Sequence, residues 1–254
     1  MLMDFGVEPE EFKEDELLEW FKDVQLQQLT KITEGIFAPW AFYKKDFQEI
    51  GGHDPLYAPQ SKEDSDIFNR FQLNGIKFKQ TWGGCVYHMT CRGSRRNTVD
   101  KAKNIYEDSP EWLAQNQRST RNFIRKWGHF VKHDSLMKPI IPSKYDIGII
   151  LDVNNIELLH ALEPWCNTIY CGVGIDLRQN YIAKEQPNTT MDLSKRVLPY
   201  NNEKNNEILV TVDSKFTQQD FGYIQQLPEI LADSGEPGFH GELGNITVEI
   251  FEKM

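Results

Sequence analysis

Ile50-Gly51-Gly52-His53-Asp54, then Ser61-Lys62-Glu63-Asp64-Ser65-Asp66-Ile67-Phe68-Asn69-Arg70, then Gly75 and Val86-Tyr87-His88, form the stretch on which the reading of this chain turns. Gly51-Gly52 breaks the chain direction. The spacing after it predicts a helix over 61–74, with Ser61 as cap and Asp64 three residues on, where a capping box places an acid. Ile67, Phe68 and Phe71 give its apolar face, and Gly75 sits where a helix-ending glycine belongs. On that helix Asp64 stands three and four residues before Ile67 and Phe68, which predicts a carboxylate over the apolar face. The helix dipole and the free N–H groups of a first turn stabilise such an acid. Fixed in place, it can accept a proton from a hydroxyl. Asp66 and Arg70, four residues apart, are expected to form a structural ion pair. Glu63, Asp64 and Asp66 equally suit a first turn with no chemistry at all.

Working outward, residues 8–33 read as a helix, with acids crowding its start and Leu17, Leu18, Phe21, Val24 and Leu29 at roughly helical spacing. Residues 36–42 read as a short strand or buried loop, and 44–50 as a short amphipathic turn or helix. Residues 76–90 suggest two strands split at Gly83-Gly84, and 99–134 two helices rich in basic and aromatic side chains. Lys138-Pro139-Ile140-Ile141-Pro142 is a proline-flanked boundary. Beyond it, 146–153 reads as a buried strand, 155–162 as helix and 168–171 as strand, a βαβ-like start. Strands are expected at 208–213 and 245–251, with a helix at 218–231 between them. The expected class is α/β. A first segment, with the Gly-Gly turn and the acid helix, spans 1–97, a basic helical extension 98–138, and a small α/β domain 139–254. That last domain lacks a Gly-x-Gly-x-x-Gly, which leaves a dinucleotide site unsupported, and Cys171-Gly172-Val173-Gly174 is only a Gly-containing loop.

The ordered set quoted above, an Ile-Gly-Gly-x-Asp turn, Glu-Asp-x-Asp opening a helix with Arg four residues on, and a helix-ending Gly, resembles the inverting GT-A glycosyltransferases of family 2. It looks most like their galactosyltransferase-type C-terminal segment, over roughly residues 30–96. The resemblance implies a GT-A-like acceptor-side region. It also implies a nucleotide-diphosphate sugar donor, a saccharide acceptor and a single displacement with inversion. It makes Asp64 the base and Glu63 an acceptor-binding or orienting partner. His88 would ligate a divalent metal, manganese or magnesium, that neutralises charge on the leaving diphosphate. Arg92 and Arg95, in the Gly/Ser-containing basic loop after His88, become candidates for donor phosphates. Trp82, Gly83 and Gly84 are expected to line a sugar pocket, with Trp40 and His53 on the acceptor side. The family's nucleotide-binding half, which ends in a donor Asp-x-Asp, has no counterpart here. Asp64-Ser65-Asp66 lies inside the acid helix. The expectation is therefore a shortened or split enzyme working with a separate N-terminal nucleotide-binding subunit. The alternative is a non-catalytic carbohydrate-binding or assembly module.

Composition narrows the remaining classes. Net charge is −10, yet residues 92–138 carry eleven Lys/Arg against five Asp/Glu, a local excess that suggests an anion site rather than a nucleic-acid coat. Cys85, His88 and Cys91 have a metal-like spacing, but on a strand 85 and 91 face one side and 88 the other. They converge only if that segment is not extended. Four scattered cysteines do not make a disulfide framework. No apolar run approaches the ~20 residues of a membrane helix, and the acidic N-terminus is unlike a signal peptide. A cytoplasmic setting is the expectation.

Overall fold

The computed structural model describes residues 3–6, 9–36, 38–84, 86–87, 96–100, 105–172 and 174–252. The architecture is mixed α/β, with seven α-helices and a mixed six-stranded sheet among the described residues. The chain divides into two compact units: Met1–His53, Ile67–Asn116 and His133–Ile140 in the first, Asp54–Asp66, Gln117–Lys132 and Ile141–Met254 in the second.

In the first unit, α1 (Glu14–Gln28) opens with three acids and buries none of its residues. It is shorter than the helix expected over 8–33, because β1 (Ile32–Thr33) takes the end of that segment. β1 pairs antiparallel with β2 (Gln80–Thr81). This two-residue ladder replaces the strands expected over 76–90; residues 85 and 88–90 lie outside the described ones. Helix α2 spans Lys44–Glu49. Helix α3 (Glu63–Leu73) brings Ile67 and Phe71 against Phe78, with Trp40, Phe47 and Phe68 packed around them. Gly75, at φ +74, ends that helix in the left-handed region where glycine alone is unstrained. The first of the two helices expected after residue 99 is instead an antiparallel hairpin, β3 (Arg96–Asp100) with β4 (Ile105–Asp108), bulged between Thr98 and Asp100.

The second unit holds the six-stranded sheet. Its members are β5 (Ile147–Leu151), β6 (Thr168–Cys171), β7 (Val197–Pro199), β8 (Ile208–Val212), β9 (His240–Leu243) and β10 (Ile246–Ile250), in the order β7-β6-β5-β8-β10-β9. The first four are parallel, and β10 and β9 close the sheet antiparallel. Every residue of β5 is buried, as a central parallel strand requires, while β10 alternates as an antiparallel one does. Ile147, Ile149 and Leu151 lie in register with Ile169, Cys171, Ile208, Val210 and Val212. On that face they meet Leu159 and Leu162 of α5 (Ile156–Leu162), Tyr181 of α6 (Ile175–Glu185) and Ile224, Leu227 and Leu231 of α7 (Gln218–Ser234).

On the other face the buried apolar cluster among the described residues is Ile150, Tyr170 and Leu209, with Leu198 beside them. A right-handed return from β7 to β8 must cross behind the sheet, and here it is the coil 200–207. Lys204 stands 5.3 Å over the Tyr170 ring. Asn206 accepts from the Tyr170 hydroxyl at 2.8 Å and donates to Asp146 at 2.8 Å. Gly148 leaves room for this coil, since a Cβ there would run into the Asn206 side chain. Local signals set the helix starts: Asn155 accepts from the N–H groups of Glu157 and Leu158, and Thr217 with Asp220 forms a capping box.

Helix α4 (Pro110–Trp127) contributes its second half to this unit. The sequence had set residues 98–138 apart as a basic extension, but two of these basic residues are built into the interior. Arg125 is wholly buried, and its guanidinium meets Glu163 Oε2 at 2.7 Å and Glu185 Oε1 at 2.5 Å. Arg121 reaches Glu185 at 2.9 Å, Arg196 reaches Glu163 at 2.9 Å, and the Tyr181 hydroxyl donates to Glu163 at 3.1 Å. These cations hold the Glu163 carboxyl at about 2 against its ordinary 4.5, overcoming burial, which is the largest influence and acts the other way.

A carboxyl depressed on folding stabilises the native state above its unfolded pKa and loses that contribution as pH falls through its folded one. Urea midpoints for the second unit should therefore drop between about pH 4.5 and pH 2, and Glu163→Gln should flatten that dependence. Arg125→Met should destabilise the unit by roughly 3 kcal/mol, because it removes the fully buried cation between two carboxylates and leaves them only Arg121 and Arg196. An unchanged midpoint for Arg125→Met would show that the network contributes nothing to the fold.

Candidate functional site

The motif segment 54–66 folds within the second unit. Asp54 Oδ1 accepts from the Leu56 N–H at 2.9 Å, and Pro55 takes the first position of the 3-10 turn Pro55–Tyr57. Tyr57, almost fully buried, then donates its hydroxyl to Asp66 Oδ1 at 3.4 Å. The Trp127 indole N–H donates to the same oxygen at 2.9 Å. Lys126 joins the two motif acids, with its ammonium 2.6 Å from Asp66 and 2.7 Å from Asp54. Desolvation first, then the nearby Asp66 and Asp54 carboxylates, push the Tyr57 phenol far above its usual value, so it stays a donor.

This arrangement corrects two expectations for α3. Asp66, not Asp64, is the inward acid: its exposure is 0%, whereas Asp64 is exposed. Helical side chains lean toward the N-terminus, so a first-turn residue covers surface beyond the helix end rather than the packed layer below it. Ser61 is not the cap. Lys62 precedes the first helical residue and its carbonyl receives the Asp66 N–H at 3.0 Å. Ser61 and Lys62 both sit at positive φ, +78 and +72, a conformation that costs non-glycine residues about 1 kcal/mol or more each. Glu63 is half-buried, and its Oε2 is shielded from solvent without a hydrogen-bond partner among the described residues.

The other candidates lie in the first unit or outside the described residues. Trp40 lines a cavity of about 610 Å³ together with Phe42, Phe71, Phe78, Gln80 and Gly84. The Trp82 indole donates to Thr33 at 2.8 Å, and the Lys31 ammonium lies 3.8 Å over its ring, so one face of that ring is already covered. The Gly83 carbonyl accepts from Gln25 at 3.2 Å. His53 is exposed and meets Phe47 edge-on at 5.3 Å. His88, Arg92, Arg95, Cys85 and Cys91 lie outside the described residues. Among the described residues no three His, Cys, Asp or Glu side chains gather where they could hold a metal ion, and no helix is long and apolar enough to cross a membrane.

Lys126, Trp127 and Tyr57 are the site residues that sequence reasoning missed. Asp54-Pro55 carried a cap signal, but nothing local ties Lys126 to acids 60 or more positions away. Comparison with protein-family models, curated proteins and solved structures finds no match to this chain.

Removing the cation should loosen the motif segment. Lys126→Met is expected to cost roughly 3 kcal/mol, since it leaves the Asp66 carboxylate buried without its counter-charge. Asp66→Asn, which keeps an acceptor for Trp127 and removes the buried charge, should cost less. Urea unfolding of the two variants side by side checks the order.

Proposed function

We propose that this chain carries the acceptor-side part of an inverting GT-A glycosyltransferase of family 2, with Asp64 as base and Glu63 as its orienting partner. One observation carries the reading: a solvent-facing carboxylate and a half-buried, unpartnered one stand side by side at the start of α3, on a segment clamped from below by Asp66, Lys126 and Asp54. A buried acceptor atom without a donor invites a ligand hydroxyl. Asp64, unlike Asp66, is open to a substrate. In the reaction the acceptor oxygen attacks the anomeric carbon while Asp64 takes its proton. The bond to the diphosphate breaks, the configuration inverts, and the nucleoside diphosphate leaves. The fixed backbone beneath the pair supplies positioning, and strain at Ser61 and Lys62 is typical of segments held for function.

The resemblance also implies manganese or magnesium on the leaving group. The ligand proposed for it, His88, lies outside the described residues, and the proton transfer to Asp64 stands without it. The reading requires a nucleotide-binding half to supply the donor, and the setting proposed is cytoplasmic. A second reading, a carbohydrate-binding module without transfer, is favoured by the aromatic cavity of the first unit, which needs no base.

Asp64→Asn should lower sugar transfer by roughly 10²–10⁴-fold and leave the urea midpoint within about 0.5 kcal/mol, because the side chain is exposed. Retained turnover would remove Asp64 from the base role. Calorimetry with uridine diphosphate and manganese, with and without a nucleotide-binding subunit, separates the two readings. Absence of heat in both arms rejects the enzyme and leaves the binding module.

A further inference from the structure

We infer that the cavity of the first unit is a subsite for an anionic saccharide. The inference rests on the sugar-transfer reading for its choice of a saccharide and deepens it by naming the substrate class. At about 610 Å³ the cavity has the size of a small-ligand site. Trp40 and Phe42 line it with rings 4.8 Å apart and only 25° from parallel, offering an apolar wall of the kind that packs against the C–H face of a pyranose. Gln80 and Thr81 supply polar groups, and Gly84 leaves its part of the wall open.

The charge of the lining singles out the ligand. In a chain of net charge −10, the described lining residues include Lys77 and Lys79 and no acid. Both lysines are exposed. Lys79 has no carboxylate partner among the described residues. Lys77 feels Glu34, but that carboxylate is already paired with Lys138 at 2.7 Å. Two ammonium groups left over beside an aromatic wall match a sugar that carries carboxylates or other anionic substituents.

The test is calorimetric titration of the full chain in its Asp64→Asn form, without donor. The probes are tetragalacturonate, its fully methyl-esterified counterpart, and uridine diphosphate. The acid should bind roughly fivefold or more tightly than the neutral ester, and the preference should shrink as salt is raised. Lys77→Gln with Lys79→Gln should erase the preference while leaving the fold intact, since both side chains are exposed. Trp40→Ala should weaken both sugars. Equal binding of acid and ester, binding of neither, or displacement of the sugar by uridine diphosphate would overturn the inference. Because binding is read without turnover, its loss speaks against this cavity. Binding of the acid by this cavity with no sugar transfer by the unsubstituted chain, assayed with donor and a nucleotide-binding subunit, speaks against the glycosyltransferase reading instead.

Discussion

The second unit depends on one buried contact, the ion pair between Arg125 and Glu163. Both side chains are fully withdrawn from solvent, and neither charge survives there alone. Around them Arg121, Arg196, Glu185 and Tyr181 complete a network that satisfies each carboxylate several times over. The network joins four separate pieces of chain: the second half of α4, the 3-10 turn after α5, the end of α6 and the residue before β7. Apolar packing would hold these pieces near one another; the charges fix which groups face which. The residues that follow Arg125 are Lys126 and Trp127, so the turn of helix that supports the motif segment is set by the same contact. Fold and candidate site thus share one determinant, at Arg125.

What the sequence made legible follows from how local each signal is. β5, α5, β6, β8, α7 and β10 are encoded by continuous or alternating apolar runs with caps at their ends, and their positions could be read directly. The strands β3 and β4 fall where a helix was expected from residue 99 on, because Arg96-Asn97-Thr98-Val99-Asp100 has little apolar content to set a period. Helix α6, β7 and β9 escaped notice: α6 has a weak amphipathic pattern, β7 has three residues, and β9 is an edge strand with two exposed positions.

The site was legible in one dimension only. The spacing from Asp54 to Asp66 marked the segment whose acids Lys126 gathers, and the helix after it was placed within two residues. The direction of the acids was not readable, because helical periodicity alone does not tell a residue over the core from one that overhangs the helix end. Lys126 could not have been found, since its bond to Asp66 closes a loop of sixty residues and leaves no pattern in either neighbourhood.

The coil behind the sheet sets a limit on how this chain can vary. From the end of β7 to the start of β8 the backbone must step across three strand spacings and run back the length of a strand, about 20 Å on the diagonal. Nine Cα steps separate Pro199 from Ile208, with a reach of about 30 Å when extended, and the turn closed by Asn202 onto Pro199 takes up part of it. Added residues would loop out harmlessly. Losing three would leave the tether too short, and β8 could keep its place beside β5 only by sliding out of register. Homologous chains of this architecture are thus free to lengthen at this crossing and barred from trimming it.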